Sequence, residues 1–308
     1  MSKLKVISLN TSAGKGTVKK PIEKATIDFN GMVGDAHAGD WHRQISLLGI
    51  ESYRKMEAKK ADVKLDMGVF AENITTEGLE LHKTSVFDRF VGDQIELEVT
   101  QIGKKCHHGC DIMKQIGDCV MPVEGIFCRV IKAGELKPGD TFEYKPRVIK
   151  TMVLTLSDRA YNGVYEDKSG PFAEKMMTEF FDNSGRHYNI DRKILPDDAA
   201  LIKEALLEAK NYDIVITTGG TGLGKRDITP DVVKPMLDKE IPGIMEHIRI
   251  KYGAHKPNAL VSRSVAGTID ATLVYVLPGS TKAVNEYLNE IIPTIEHSFR
   301  MIHSVDSH

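Results

Sequence analysis

A glycine-rich segment in the second half of the sequence has residue types that bind phosphate groups. Thr217–Gly222 combines glycines with threonines and is followed by Lys225, Arg226 and Asp227. Glycines let backbone N–H groups approach phosphate oxygens, while the hydroxyls and the two cations supply further donors. Four residues of this segment are expected to contact a phosphorylated ligand, namely Gly219, Gly220, Thr221 and Gly222.

Three shorter polar segments have related properties. Ser157-Asp158-Arg159 and Pro278-Gly279-Ser280 each follow an apolar run, and Asp197 lies in the segment Leu195–Asp198 before a predicted helix. A helix that begins directly after Ser280 would direct its free N–H groups toward that turn, where an anion can bind. Each segment taken alone is equally compatible with an ordinary connection, and Asp197 and Asp227 also suit a helix cap or a turn.

The apolar pattern after residue 150 predicts how these segments come together. Apolar strands alternate with amphipathic helices, which indicates βαβ units and an α/β domain with a mainly parallel sheet. The predicted strands are Thr151–Leu156, Asp213–Thr217 and Leu273–Leu277, and the predicted helices are Pro171–Phe181, Ala199–Ala209, Asp231–Asp238 and Thr281–Ile291. Ligands of open α/β sheets bind outside the carboxyl ends of the strands, so we expect the polar segments to form one site.

Taken in order, these motifs resemble those of the molybdopterin adenylyltransferases. The resemblance covers about residues 150 to 300 and rests on Ser157–Ala160, Gly163–Tyr165, Asp167-Lys168, Leu195–Asp197, Thr217–Gly222, Arg226–Asp231, Pro242-Gly243, Glu246, Ser262-Arg263 and Leu277–Gly279. The related molybdopterin-binding domains of molybdenum-insertion and gephyrin-like proteins share the glycine loop, but the Ser157–Asp167 segment favours the adenylyltransferases. Leu223-Gly224 stands where that family often has proline, while the spacing to Asp227 is kept.

The resemblance implies a reaction and a set of site residues. The reaction is transfer of AMP from ATP to molybdopterin with release of pyrophosphate, which depends mainly on charge neutralisation and positioning. Asp197 and Asp227 match the two functional aspartates of the family and are expected to be catalytic and to hold Mg²⁺. The expected substrate contacts are Ser157, Asp158, Gly219, Gly220, Thr221, Gly222, Lys225, Arg226, Glu246, Pro278, Gly279 and Ser280. Glu246 is equally suited to a solvated helix face.

The first half of the chain has a different pattern. Short apolar runs at Lys5–Asn10, Gln94–Ile102, Gly125–Ala133 and Thr141–Lys145 are separated by glycine turns, and only Ile50–Ala61 suggests a helix. This pattern predicts a mainly β domain of the barrel type. The change of pattern near Pro146 predicts two domains, residues 1–146 and 148–308.

Motifs of the first half resemble the MOSC domain. They are Val33–Gly39, Arg43–Leu48, Phe70–Gly78, Val91–Asp93 and a cysteine after Thr100-Gln101. The resemblance implies that this domain binds the molybdenum cofactor, with a cysteine as sulfur carrier or molybdenum ligand. Arg43 and Asn73 suit the phosphate and the pterin of that cofactor, although a surface ion pair is the alternative for Arg43.

The four cysteines lie between Cys106 and Cys128. Neighbouring lysines and a histidine favour the thiolate of Cys106, which we expect to be the reactive thiol. Cys119 is the second candidate. It ranks after Cys106 because the carboxylate of the neighbouring Asp118 opposes formation of its thiolate. A zinc site through Cys106 and Cys110 is a further alternative, although their spacing is unusual for zinc. Cys128 is expected to be a small buried residue.

Composition narrows the classes of partner and compartment. The net charge is −2, so no overall field attracts nucleic acid. Few cysteines, no long apolar stretch and no signal-peptide pattern predict a cytoplasmic protein that spans no membrane. The resemblance further suggests a homotrimer and a molybdenum-insertion protein as partner. Two other functions remain open, a carrier of molybdopterin or molybdenum cofactor without turnover and a MOSC-based reductase of N-hydroxylated substrates.

Overall fold

A computed structural model of the chain describes residues 3–59, 64–105 and 118–305. The chain divides into two compact units, with the boundary between Arg147 and Val148. No helix in these described ranges is long and apolar enough to cross a membrane.

The first unit is mainly β, as predicted. Its strands are β1 (Lys3–Thr11), β2 (Lys20–Ile22), β3 (Ala25–Asp28), β4 (Gly31–Met32), β5 (Ile45–Gly49), β6 (Ile74–Glu77), β7 (Arg89–Val91), β8 (Glu96–Ile102), β9 (Ile126–Lys132), β10 (Gly134–Leu136) and β11 (Thr141–Lys145). Eight of them form a sheet in the order β11-β7-β8-β9-β5-β6-β1-β2, and β11 also pairs with β1, which closes a barrel. The other three form a small sheet in the order β10-β3-β4.

Alternating side chains build the interior of this barrel. In β1 the apolar residues Leu4 and Val6 point inward and are fully buried, as a period of two requires. Leu47, Phe90 and Leu97 from other strands belong to the same core cluster. The α-helices in the described part of this unit are α1 (Ile50–Lys59) and the short α2 (Met121–Glu124). The predicted helix at residues 50–61 is therefore present, and residues 60–63 lie outside the described ranges.

The second unit is an α/β domain with a mainly parallel sheet, again as predicted. Its strands are β12 (Val148–Leu156), β13 (His187–Leu195), β14 (Ile214–Thr218), β15 (Lys239–Glu240), β16 (Ala266–Ile269) and β17 (Thr272–Leu277). They lie in the order β13-β12-β14-β17-β16-β15. The first four are parallel, β16 is antiparallel to β17, and β15 is antiparallel to β16. The central strands β12, β14 and β17 are almost continuously buried, which is typical of a sheet covered on both faces.

Helices of the second unit begin directly after the loops that concern the site. They are α3 (Asp158–Tyr161), α4 (Ser169–Ser184), α5 (Ala199–Glu208), α6 (Thr229–Val233), α7 (Pro242–Gly253) and α8 (Thr281–Ile302). The predicted helix at residues 231–238 is in fact α6 followed by a 3₁₀ turn at Lys234–Met236. The predicted helix from Thr281 continues beyond residue 291 and includes Pro293.

Candidate functional site

Three parallel strands end around Gly219. The Gly219 N–H donates a hydrogen bond to Leu277 O, at the end of β17, at 2.9 Å. A Cβ atom on Gly219 would lie 2.2 Å from Leu156 O, at the end of β12, and a Cβ on Gly279 would lie 3.3 Å from the Gly219 Cα. The φ of +108° at Gly219 also requires glycine. The loops after β12, β14 and β17 therefore meet at the carboxyl edge of the sheet, where α/β proteins bind ligands.

Asp158 and Asp197 fix two of these loops to each other. The Asp158 N–H donates to Asp197 Oδ2 and the Asp197 N–H donates to Asp158 Oδ1, both at 3.0 Å. The cap of α5 is the adjacent Asp198, whose carboxylate accepts the N–H groups of Ala200 and Leu201. The helix-cap alternative that the sequence left open for Asp197 thus belongs to Asp198.

The other carboxylate oxygen of Asp197 faces the glycine loop. Oδ1 is buried and has no hydrogen-bond partner among the described residues, and the same holds for Thr229 Oγ1. Both atoms lie near Gly220, since a Cβ there would be 3.3 Å from Asp197 Oδ1 and 2.2 Å from Thr229 Oγ1. Burial raises the pKa of Asp197, and the carboxylates of Asp158 and Asp227 raise it further. A cation beside Oδ1 would relieve this repulsion.

Asp227 lies at the opposite end of the glycine loop. Its Oδ2 accepts the Gly224 N–H at 2.8 Å, and a Cβ on Gly222 would lie 2.8 Å from the same oxygen. The carboxylate is therefore packed against the loop backbone. Lys225 is exposed, and in the described part of the chain it forms no ion pair.

Arg226 connects the glycine loop to the loop after β12. Its Nε and Nη2 donate to the two oxygens of Asp158 at 2.8 Å and 2.7 Å. This bidentate pair lowers the pKa of Asp158. Arg226 Nη1 is not used in this pair and remains available to a phosphate oxygen.

A cleft of about 510 Å³ lies beside the turn after β17. Gly279, Ser280 and Thr281 line it from one side, and Tyr165 and Lys168 line it from the other. Ser280 caps α8 because its Oγ accepts the Ala283 N–H at 3.2 Å. The cleft thus offers an anionic group the N-terminus of α8 and Lys168, whereas Glu166, which also lines it, opposes an anion.

Ser157 and Tyr165 close the loop that leads into this cleft. Ser157 Oγ caps α3 by accepting the Ala160 N–H, and it also lies 2.9 Å from Tyr165 Oη. Arg159 packs over the Tyr165 ring at 5.0 Å. The predicted contact Glu246 is exposed on α7 and is not among the residues that line the cleft. Its predicted role in the site gains no support from its position.

Asp167 is a structural residue of the site that the sequence predictions gave no role. Its Oδ2 accepts Thr155 Oγ1 at 2.6 Å, and its Oδ1 accepts the N–H groups of Ser169 and Gly170 at 3.0 Å and 3.1 Å. Asp167 therefore attaches the start of α4 to β12. The signal in the sequence was an aspartate two and three residues before Ser169-Gly170, a spacing typical of a turn that precedes a helix.

A second candidate site is a cavity of about 350 Å³ in the first unit. Its lining includes four cations, three aromatic rings and one thiol, and among the described residues that line it there is no Asp or Glu. These residues are Lys15, Arg43, Lys104, Lys105, Trp41, Phe70, Phe127 and Cys119. Such a lining suits an anionic ligand with a planar ring.

The guanidinium group of Arg43 lies over two aromatic rings in this cavity. Its guanidinium carbon lies 4.6 Å from the centre of the Trp41 ring and 5.7 Å from that of Phe127. Its Nε is buried and has no hydrogen-bond partner within the described residues. The surface ion pair that was the alternative for Arg43 is not found in that part of the chain. Arg43 is thus available to an anion in the cavity.

Asn73 also lines the cavity, but most of its amide is engaged by the fold. Its Oδ1 accepts the N–H and the hydroxyl of Ser46 at 3.1 Å and 2.9 Å, and its Nδ2 donates to Asn10 O at 3.4 Å. Asn73 is 1% exposed and directly precedes β6, and these bonds connect it to Ser46 of β5. Its predicted contact with a pterin stays a prediction.

The cysteines divide into described and undescribed residues. Cys106 and Cys110 lie outside the described residues, so the predicted thiolate and the zinc alternative are not tested. Cys119 lines the cavity and is partly exposed. Cys128 is fully buried in the barrel core, as predicted, and burial raises its pKa.

Comparison with known proteins agrees with the division of the chain into two units. A family model described as a probable molybdopterin binding domain matches residues 152–297, and a MOSC domain model matches residues 34–143. The molybdopterin adenylyltransferase of Helicobacter pylori is 37% identical over 154 residues, which are 49% of this chain and 85% of that protein. Molybdenum cofactor biosynthesis protein B of Staphylococcus carnosus is 39% identical over 157 residues, covering 49% and 89% of the two chains. Gephyrin of Dictyostelium discoideum is 36% identical over 160 residues, which cover 49% of this chain and 22% of that protein.

The three relatives match only about half of this chain, and the MOSC match accounts for most of the rest. The chain therefore belongs to the molybdopterin adenylyltransferase family of molybdenum cofactor biosynthesis through its second unit, to which a MOSC domain is fused.

Proposed function

We propose that the second unit transfers AMP from ATP to molybdopterin in a reaction that depends on Mg²⁺. The observation that carries the proposal is Asp197 Oδ1, a buried oxygen without a hydrogen-bond partner in the described part of the chain. A protein that only binds polyanions gains nothing from a carboxylate beside its phosphate loop, because the two repel each other. A cation-assisted transfer needs such a group.

The donor set fits Mg²⁺ with a small number of protein ligands. Within residues 3–59, 64–105 and 118–305, no group of three or more His, Cys, Asp or Glu side chains could hold a metal ion. Mg²⁺ is commonly held by one or two carboxylates, with water and substrate phosphates in the other positions. Asp197 and Asp227 would hold the ion. When bound, it would supply neutralisation of the charge on the triphosphate.

The proposed transfer forms and breaks one bond at phosphorus. An oxygen of the terminal phosphate of molybdopterin attacks the α-phosphorus of ATP. The bond from that phosphorus to the oxygen that bridges to the β-phosphorus breaks, and pyrophosphate leaves. The N–H groups of the glycine loop would bind phosphate oxygens, and Lys225 and the unused Nη1 of Arg226 would balance the charge of the leaving group.

Two neighbouring aspartates provide a matched test of this proposal. The full chain is supplied with ATP, Mg²⁺ and molybdopterin, and pyrophosphate and the adenylylated product are measured with and without a chelator. Asp197→Asn is expected to lower kcat by roughly 100-fold or more, the scale on which a lost electrostatic group affects transfer. Asp198→Asn is expected to keep turnover, because asparagine caps a helix as well as aspartate.

Two outcomes would contradict the proposal. One is wild-type turnover in Asp197→Asn, and the other is turnover in the wild-type protein that a chelator leaves unchanged. Asp227→Asn is a second test, since it should remove AMP transfer and leave molybdopterin binding within a few-fold.

For the first unit we propose binding of the molybdenum cofactor in the cavity around Arg43. The cations of the cavity would neutralise the phosphate of the cofactor, and Trp41 and Phe127 would border its planar rings. A thiolate is a suitable ligand or sulfur donor for molybdenum. Cys106 remains our first candidate for that thiol and Cys119 our second.

Metal and pterin analysis of protein from molybdate-fed cells tests this second proposal. Arg43→Met is expected to lose most of the bound pterin and molybdenum, whereas Arg54→Met, which removes an exposed ion pair with Glu77, should keep both. Cys106→Ser and Cys119→Ser then decide between the thiols. Loss of cofactor from Cys119→Ser alone would refute the assignment to Cys106.

The oligomeric state is a separate expectation. We propose a homotrimer, which rests on the family resemblance of the second unit. Light scattering of the purified chain at micromolar concentration tests it, and a monomer would refute it.

A further inference from the structure

The side chain of Arg263 binds three positions of the glycine loop, residues 217–227, and of the helix that follows it. It lies between the 3₁₀ turn Pro257–Val261 and β16. Its Nε donates to Gly222 O at 2.8 Å, and its Nη2 donates to Asp227 O at close range. Its Nη1 donates to both carboxylate oxygens of Asp231, in the first turn of α6, at 2.8 Å. The Arg263 backbone N–H adds a bond to Thr221 O at 3.1 Å.

These contacts use every nitrogen of the guanidinium group. A planar fork with five N–H donors can bind two carbonyl oxygens and one carboxylate together, whereas a lysine offers one nitrogen at the end of a flexible chain. All three guanidinium nitrogens of Arg263 therefore donate hydrogen bonds to other residues of the protein. Arg263 therefore differs from Arg226, which keeps one nitrogen unused.

Apart from Arg263, the side chain that ties residues 222–227 to another loop is Arg226, through its solvent-exposed pair with Asp158. Leu223, near the start of this segment, is 76% exposed and so contributes little packing. Within the loop, Gly224 and Asp227 bond to each other through one backbone pair and one carboxylate contact. Two successive carbonyl contacts from Arg263, at Gly222 and Asp227, span the loop from end to end.

We propose that Arg263 is a positioning residue for AMP transfer, which holds the Asp227 carboxylate in place by clamping both ends of the loop. The proposal rests on the transfer reaction proposed above. Arg263 touches neither substrate in this assignment, and acts through the loop backbone. Small displacements of a catalytic group can lower a rate by up to about 100-fold, so a lost clamp has a measurable effect.

Replacement by lysine separates position from charge. If Arg263 served to neutralise substrate charge, Arg263→Lys would keep most of the activity. If it serves to position the loop, Arg263→Lys and Arg263→Ala should both lower kcat, by roughly 10- to 100-fold, with the KM for molybdopterin changed much less. A higher Mg²⁺ concentration should be needed for half-maximal rate in both variants. Arg192→Ala, which removes an ion pair with Glu174, is the matched control and should behave as wild type.

Amide hydrogen exchange gives a readout that does not depend on turnover. Residues 222–227 should exchange faster in Arg263→Lys and Arg263→Ala than in the wild-type chain or in Arg192→Ala. Asp231→Asn, which removes the ion pair and keeps the two carbonyl contacts, should give an intermediate exchange rate.

The combined results distinguish failure of the clamp from failure of the proposed reaction. If the wild-type protein transfers no AMP, the reaction is wrong, and exchange alone decides whether Arg263 holds the loop. Unchanged exchange of residues 222–227 in Arg263→Ala would overturn the proposal. Retention of kcat in Arg263→Lys would also overturn it, because charge rather than geometry would then be sufficient.

Discussion

Replacement of Gly220 by alanine is expected to destabilise the second unit and to displace groups of its site. Gly220 has a φ of +63°, and an added Cβ would lie 2.2 Å from Thr229 Oγ1 and 3.3 Å from Asp197 Oδ1. Thr229 is fully buried and β-branched, so it has little freedom to move away from a new methyl group. The same change therefore affects the backbone, the packing and the position of the Asp197 carboxylate.

The magnitude follows from comparison with Gly185, which serves as the matched control. Gly185 has a φ of +67°, and an added Cβ there would meet nothing within 4 Å. The left-handed conformation costs a non-glycine residue about 1–2 kcal/mol at either position. Overpacking against Thr229 adds about 1–3 kcal/mol at Gly220 only. We therefore expect a loss of about 2–5 kcal/mol in the free energy of unfolding for Gly220→Ala and of about 1–2 kcal/mol for Gly185→Ala.

Urea unfolding of the full chain measures this difference. Far-ultraviolet circular dichroism follows the second unit, which contains most of the described helical residues. The single tryptophan, Trp41, belongs to the first unit, so its fluorescence reports an unfolding transition that neither variant should change. Equal destabilisation by the two variants would refute the steric argument. Wild-type AMP transfer by Gly220→Ala would contradict the link between this glycine and the site.

Three further predictions concern other charged and titratable groups. Because burial raises the pKa of Asp197, the ionised carboxylate destabilises the folded protein at neutral pH. Asp197→Asn should therefore raise the Tm in the presence of a chelator. This gain in Tm should disappear as the pH falls below the pKa that Asp197 has in the unfolded chain. Asp35→Asn should lower the free energy of unfolding by about 3–5 kcal/mol in urea titrations, because it leaves the buried Lys19 without its carboxylate at 2.7 Å. Peptide mapping after alkylation of the native protein should show modification of Cys119 before Cys128, since burial raises the pKa of the Cys128 thiol. The first prediction would be contradicted if the wild type were more stable than Asp197→Asn at neutral pH. The second would be contradicted by a loss under 1 kcal/mol for Asp35→Asn, and the third by equal labelling of the two thiols.

The central part of the second unit was predictable because burial leaves a clear pattern. The strands β12, β14 and β17 are continuous apolar runs, and each is followed by a polar loop, so one general rule places all three loops at one edge. The edge strand β13 has no such pattern. Most of its side chains are exposed, and its sequence, His187–Leu195, mixes polar and charged residues in a way that periodicity does not detect.

The roles of neighbouring residues were harder to predict than the location of the site. Asp197 and Asp198 have the same side chain, and only the backbone conformation decides which carboxylate reaches the N–H groups of α5. Arg263 was noticed only as part of a motif, because its partner Gly222 lies 41 positions away in the chain. Long-range side-chain contacts of this kind have no periodicity in the sequence, and the fold alone brings them together.

The residues that line the cavity of the first unit were also hard to identify together from the sequence. Lys15, Arg43 and the pair Lys104-Lys105 are far apart in the sequence, so no single basic segment indicates that they share one anion site. The barrel brings them to one cavity. At Asn73 the structure adds contacts that the motif does not reveal, since its Oδ1 accepts hydrogen bonds from Ser46, while its predicted contact with a pterin stays a prediction.

The two sites differ in how their charges are arranged, and this difference supports different roles for the two units. The cavity around Arg43 has cations and, among its described lining residues, no carboxylate, so its field favours retention of an anion. In the second unit, Arg226 is paired with Asp158, while Asp197 keeps a buried oxygen without a partner. An unpaired carboxylate beside the glycine loop weakens the binding of an anion there unless a cation joins the complex. The first arrangement is suited to holding a cofactor, and the second is suited to a metal-assisted transfer in which anions must also leave.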